Sequence, residues 1–279
     1  MAIKIVTDST ADLPPELARE LDVTVVPLNV HFGEETFLDG VDLGADAFFE
    51  RLTSSPQLPT TSQPSPGAFL ETYRDLTQAG HQVISIHVSD KLSGTLNSAR
   101  QAREQLGDAT VKLIDSAQVS LGLALAVTAV AGTIRQGASY EEAVQAARTV
   151  IGQVQVLAMV NTLEYLQRGG RIGTVRAMVG GLLRVRPIIT VQDGVAHSLA
   201  TARSRAKGIC YMLTVAEERA PLTQAAVVYS TNSEEADELE EMLRPFTADG
   251  TVIRAQFGPV LGTYLGPGSV GIAIQSDKT

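Results

Sequence analysis

The first half of the chain alternates short apolar, β-rich runs with helix-patterned stretches, and that order admits few architectures. Ile3–Thr7 (IKIVT) is apolar and ends at Asp8-Ser9. A helical stretch follows over Pro15–Leu21, then a second apolar run over Val23–Val30. Gln82–Val88 and Thr110–Ile114 supply third and fourth runs, with helical patterns over Gly67–Ala79 and Leu96–Leu106 between them. Strands alternating with helices predict a parallel sheet covered on both faces.

After residue 155 the pattern changes. Strands are expected over Val154–Val160, Pro187–Val191, Val195–Ala202, Ala225–Ser230, Thr251–Phe257 and Val270–Ile274. Asp193-Gly194 sits between two of them and signals a hairpin, because both turn positions must take positive φ. Helices are expected over Ala202–Glu218 and Glu234–Leu243. The fold class is therefore α/β. An N-terminal, Rossmann-like parallel-sheet domain over residues 1–155 precedes a smaller α+β domain over 156–279. Two helix starts are written locally: Ser65-Pro66 as N-cap and first helical residue, and Ser139 with Glu142 as a capping box opening Tyr140–Ile151. Between Ser54 and Gly67 the chain reads as a Pro/Ser/Thr-rich loop.

Composition removes several function classes. With 279 residues, 44% hydrophobic and 19% charged, the chain can bury a large core without a disulfide or metal. Its one cysteine, Cys210, fits a reducing compartment. The net charge of −9 opposes binding to nucleic acid or to an anionic membrane surface. MAIKIVTDST reads as a first strand and lacks signal-peptide features. The stretch from Asp115 to Arg135 has no charge between its ends, but its apolar residues are mostly small. It reads as a helix buried on most sides, not as a stable membrane insertion. A cytoplasmic protein is expected.

The strand ends carry the candidate chemistry. Asp8-Ser9, Ser89 and Asp115-Ser116 each follow an apolar run, and ligands bind beyond the carboxyl ends of strands in open parallel sheets. Each also reads as a helix cap. Asp8 with Asp12 fits a magnesium-dependent phosphotransferase, and equally a strand-end turn and cap. Gly266-Pro267-Gly268-Ser269-Val270-Gly271 matches the dinucleotide spacing but leads into a strand, so no nucleotide is expected there. His31, His81, His87 and His197 show no metal spacing, and no cofactor is expected. Ser93 reads as an N-cap, or as a hydroxyl donor to a carboxylate beside helix N–H groups. Arg168, Arg171, Arg176, Arg184 and Arg186 occur without an acid between Glu164 and Asp193. They read as a solvated basic face, or as a site for an anion or an acidic protein.

Six stretches together resemble the DegV family: Thr7–Pro14, Pro59–Phe69, Leu92–Ala99, Ile114–Ala124, Leu163–Gly173 and Gly258–Ala273. Studied members of that family are fatty-acid-binding subunits of bacterial fatty acid kinase. The resemblance implies a long-chain fatty acid in a tunnel between two α/β domains. It implies a carboxylate held by Thr61 and Ser93, with Thr60, Ser62, Gly94 and Tyr264 beside them. Tyr264 stands where family members often carry His. Arg168, Arg171 and Arg176 are implied in the head-group region or in docking. The partner is an ATP-dependent kinase subunit that phosphorylates the carboxylate, feeding phospholipid synthesis, so the chain itself is expected to have no turnover. The long uncharged helix, through Leu121, Ala124 and Leu125, is expected to wall the tunnel. Two other readings stand beside this one: the Asp8 phosphotransferase, and a protein-binding adaptor with a structural lipid.

Overall fold

The computed structural model describes residues 2–107, 110–178 and 185–278. In chain order the first elements are β1 (Ile3–Asp8), α1 (Pro15–Glu20), β2 (Val23–Val26), β3 (Asn29–Phe32), β4 (Glu35–Leu38), α2 (Ala45–Ser54) and β5 (Thr60–Ser62). Next come α3 (Pro66–Gln78), β6 (Gln82–His87), α4 (Thr95–Glu104), β7 (Val111–Asp115), α5 (Leu121–Arg135) and α6 (Tyr140–Gln153). The remainder is β8 (Val154–Met159), α7 (Glu164–Arg168), β9 (Arg186–Gln192), β10 (Val195–Ala202), α8 (Arg205–Arg219), β11 (Gln224–Tyr229), α9 (Ser233–Leu243), β12 (Ile253–Gln256), α10 (Pro259–Leu265) and β13 (Val270–Gln275). Short 3₁₀ turns cover Ser9–Ala11, Gly173–Met178 and Arg244–Phe246.

The expected parallel sheet is present, with strand order β2-β1-β6-β7 and every pairing parallel. A six-stranded sheet runs β10-β9-β8-β13-β11-β12, antiparallel except at β11–β12. The four-stranded sheet is complete by Asp115, and the six-stranded sheet begins at Val154. Asp193 and Gly194 take φ of 49° and 76° and join β9 to β10 as a two-residue turn. Both predicted caps form: Ser65 accepts from the Ala68 N–H, and Ser139 with Glu142 closes a capping box.

Two readings need correction. The single strand expected over Val23–Val30 is two strands in two sheets. Pro27 lies between them, and proline cannot donate to a ladder. Beyond it β3 joins β4 and β5 in a small antiparallel sheet. The Pro/Ser/Thr-rich loop therefore contains a strand, β5, pairing Thr61 with Val30.

The uncharged stretch is likewise shorter as a helix than as a sequence. Ala117 and Ser120 have positive φ, so α5 starts only at Leu121 and runs 15 residues. That is about 22 Å at 1.5 Å per residue, short of a bilayer core. Among the described residues no helix is long and apolar enough to cross a membrane.

Burial on most sides does hold for α5, and the reason is its place between the two large sheets. Leu123, Val127, Val130 and Ala131 pack with Ile5, Ile84 and Ile86 of the parallel sheet. Leu121, Ala124 and Leu125 belong to the cluster that holds Val156, Ala226 and Ala273 of the six-stranded sheet. Small residues let both layers approach. A Cβ on Gly122 would overlap Cγ2 of Val156 and stand 3.0 Å from Oε1 of Gln118. We predict that Gly122→Ala destabilises the protein by about 1–3 kcal/mol through overpacking, despite alanine's better helix propensity. Denaturant unfolding at constant m checks this; an unchanged midpoint would mean that β8 can yield there.

A cavity beyond the parallel sheet as candidate functional site

The parallel sheet changes direction of winding between β1 and β6, and the space beyond those two strand ends is where an α/β sheet offers a crevice. A cavity lies there, enclosing about 940 Å³ not occupied by protein atoms, part of it open to solvent. Thr10, Val88 and Ser93 reach it from just past β1 and β6. Its apolar lining comes largely from later elements: Val156 and Ala158 of β8, Ile189 of β9, and Val260, Leu261 and Leu265 of α10. Along β8 the alternation is strict. Val156 and Ala158 join the cavity-side cluster, while Leu157 and Met159 face the α8–α9 side.

One end of the lining is polar. Thr61 on β5 and Tyr264 on α10 share a hydrogen bond of 2.5 Å between hydroxyls. Ser93 shares one of 2.8 Å with Thr95, whose N–H also donates to the Ser93 oxygen at 3.3 Å. Two hydroxyls joined by one bond use one of their two protons, so each pair keeps one donor for a ligand. Arg171 links the pairs. Its Nε donates to the Leu92 carbonyl at 3.2 Å, Nη1 donates to the Gly169 carbonyl at 2.9 Å, and the guanidinium stands 5.3 Å from the Tyr264 ring centroid. Such stacking leaves a guanidinium edge available to an anion.

The expected site residues separate into groups. Thr61, Ser93, Tyr264 and Arg171 all line the cavity. Ser62 also lines it, but its hydroxyl is engaged by His31 Nε2 at 2.9 Å and by the Asn29 amide at 3.2 Å. Thr60 is exposed and faces an adjoining depression with Arg168 and Tyr264. Gly94 lies in a second depression, with Lys91, Gly170 and Gly173, its backbone against the Gln63 side chain. Arg171 borders the cavity and both depressions, so the polar end is also the end that opens to the surface.

The described arginines differ in their surroundings. Arg168 pairs with Glu164 at 2.6 Å, Arg176 is exposed on the 3₁₀ turn, and Arg186 bonds Asn161. Arg184 lies outside the described residues.

The tunnel wall expected of α5 is not found. Leu121, Ala124 and Leu125 are fully buried in the core, and only Val119 and Ser120, ahead of the helix, reach the cavity. The room left by small side chains is taken by the sheets. Sequence reading missed the real wall on β8, β9 and α10. The α10 residues lay inside the quoted stretch Gly258–Ala273, but nothing in their order distinguishes wall from core.

Asp8 is committed to structure. It is fully buried, and four donors occupy its carboxylate: the Thr10 N–H and hydroxyl at 3.1 and 2.5 Å, and the His87 ring and Val88 N–H at 2.9 and 3.0 Å. His87 Nε2 meets Ser85 at 2.7 Å, and Ser85 meets the Tyr73 hydroxyl at 2.7 Å. Asp8, His87 and Ser85 thus have the connectivity of a hydrolytic triad, yet all three are solvent-inaccessible. A saturated, buried carboxylate can neither ligate magnesium nor attack a phosphoryl group, so the phosphotransferase reading fails at its named residue.

Comparison with known proteins agrees with this geometry. The family described as "Uncharacterised protein, DegV family" matches residues 2–277. A DegV domain-containing protein of Halalkalibacterium halodurans is 36% identical over 99% of both chains. Protein DegV of Bacillus subtilis is 34% identical over 98% of both. Among solved structures, a fatty-acid-binding DegV family protein from Thermus thermophilus superposes with a TM-score of 0.91 at 32% identity, covering 99% of this chain and 100% of that one. A stearic-acid-binding protein from Eubacterium ventriosum gives 0.90 at 30%, covering 99% and 98%. The chain belongs to the DegV family.

Proposed function

We propose that this protein binds one long-chain fatty acid in the cavity, with the carboxylate at Thr61, Ser93, Tyr264 and Arg171. The observation that carries the reading is the cavity's polarity: one long apolar lining ending in two hydroxyl pairs and an arginine. A chain of ~16 carbons gains about 0.8 kcal/mol for each CH₂ removed from water, so burial drives affinity. The head group then needs only enough donors to satisfy a carboxylate. Tyrosine at 264 can supply a hydroxyl donor to that carboxylate. The fatty-acid-binding descriptions of the Thermus thermophilus and Eubacterium ventriosum relatives support the same ligand class.

In this reading the cavity is a tunnel between a unit over residues 1–155 and one over 156–279. The protein is a cytoplasmic carrier that presents the carboxylate to an ATP-dependent kinase subunit for acyl phosphate formation, with no turnover of its own. The opening at Arg171 favours presentation, because the carboxylate end is the solvent-facing end. Arg168 and Arg176, both exposed, would serve docking.

Denaturing the purified protein, extracting it and identifying released lipids by mass spectrometry tests the central claim. Near-stoichiometric fatty acid is expected. No lipid, and none taken up on incubation, would reject it. Thr61→Val and Ser93→Ala should each weaken binding by about 1–3 kcal/mol, as for hydrogen bonds to a charged group. Full affinity in both, measured by titration with a fluorescent fatty acid, would move the head group elsewhere. Arg171→Ala should weaken lipid binding, whereas Arg168→Glu should leave it intact and slow acyl phosphate formation by the partner kinase. The reverse pattern would exchange their roles.

A further inference from the structure

Two carboxylates that the binding reading does not use hold the first turn of α10. Asp12 follows the Ser9–Ala11 turn with φ 49°. It accepts from the Gly258 N–H at 2.8 Å and from the Ser120 hydroxyl at 2.5 Å. Asp39, just past β4, accepts from the Val260 N–H at 3.4 Å, and its other oxygen is buried without a partner among the described residues. The two carboxylates converge. A Cβ on Gly258 would stand 3.2 Å from one and 3.1 Å from the other. What they hold is the cavity wall, since Val260, Leu261 and Tyr264 all follow within one helix.

Among the described residues no cation pairs with either carboxylate. Arg19 on α1 and Arg254 on β12 face the same groove, but they pair with Glu16 at 2.9 Å and Asp237 at 3.0 Å. Tyr229 on β11 lines the same groove. Asp46 on α2 takes the Gln256 amide, and Asp8 on β1 adds a further negative charge. Burial pushes Asp12 up to about 8 and Asp39 up to about 7. The neighbouring carboxylates push the same way, against hydrogen bonds from Ser120 and Gly258 to Asp12 and from Val260 to Asp39.

We infer that Asp12 and Asp39 are positioning residues, a proton-retaining clamp that seats α10 and thereby sets Tyr264 against Thr61. A neutral carboxyl still accepts from a backbone N–H, while ionising both places two like charges side by side in a buried site. The folded pair keeps protons that unfolded carboxyls release near 3.8. The clamp's contribution is therefore full below that value and is lost as pH rises through about 7 and 8. Resting on the fatty-acid reading, the inference extends to release: an unseated α10 lets the ligand go faster.

Two arms test it between pH 6 and 9. In lipid-free protein, amide exchange of the peptide over 257–266, corrected for intrinsic rate, should report growing α10 opening. The increase approaches about tenfold per pH unit for each clamp proton lost. In Asp12→Asn with Asp39→Asn the profile should be flat, because the amides stay neutral. Oleate dissociation should follow the same two profiles. Parallel exchange profiles in wild type and variant would overturn the clamp. A protein that binds no oleate would overturn the fatty-acid reading alone, leaving the exchange arm to decide. Should the double variant not fold, carboxyl carbon NMR of the wild type decides. Two buried aspartates titrating near 7 and 8 support the clamp, and titration of both below pH 5 overturns it.

Discussion

One helix serving two sheets is the constraint from which the rest follows. α5 has no polar face because the parallel sheet packs on one side and the six-stranded sheet on the other. Its two packing faces leave a single helix layer between the sheets. Contact at Gly122 lets Val156 come against the helix, and Val156 is also cavity lining. The depth of the cavity is thus set by how closely β8 can press on α5. Its small side chains act on the ligand space from behind the wall.

The polar end has a different origin. β5 brings Thr61, the loop after β6 brings Ser93, α10 brings Tyr264, and the segment after α7 brings Arg171. None of these four lies on the large parallel sheet itself. Each sits where a chain segment leaves regular structure or in a short element, so hydrogen bonds between side chains fix the geometry more than ladder pairing does. The 2.5 Å contact between Thr61 and Tyr264 joins residues 203 positions apart. That is why the seating of α10 matters to the head group.

Elements of the parallel sheet were legible because each carries one strong local signal, an apolar run or a cap, and the β9–β10 hairpin because of its turn pair Asp193-Gly194. Elements whose form depends on distant partners were not. β5 has three residues rich in threonine and serine and is a strand only because β3 pairs with it. No helix was expected over α10, where Gly262 is required because a side chain would strike Phe48. Thr61, Ser93 and Arg171, singled out by the family resemblance, border the cavity, whereas Leu121, Ala124 and Leu125 do not. Small residues mean space in a sequence, but along α5 a neighbouring layer fills that space. On β8 both faces are apolar, so Val156 and Leu157 look alike until one is found beside a cavity and the other beneath α8.

The position of β13 has a consequence for the order of assembly on the ribosome. It is an inner strand, bonded to β8 on one side and β11 on the other. Until residues 270–275 emerge, the six-stranded sheet exists as two unjoined halves, β10-β9-β8 and β11-β12. Domains generally fold N-terminal first during synthesis. The parallel sheet can close early, but the sheet that carries the β8 and β9 lining stays in two parts until β13 has emerged. The cavity therefore takes its final form only once β13 is in place.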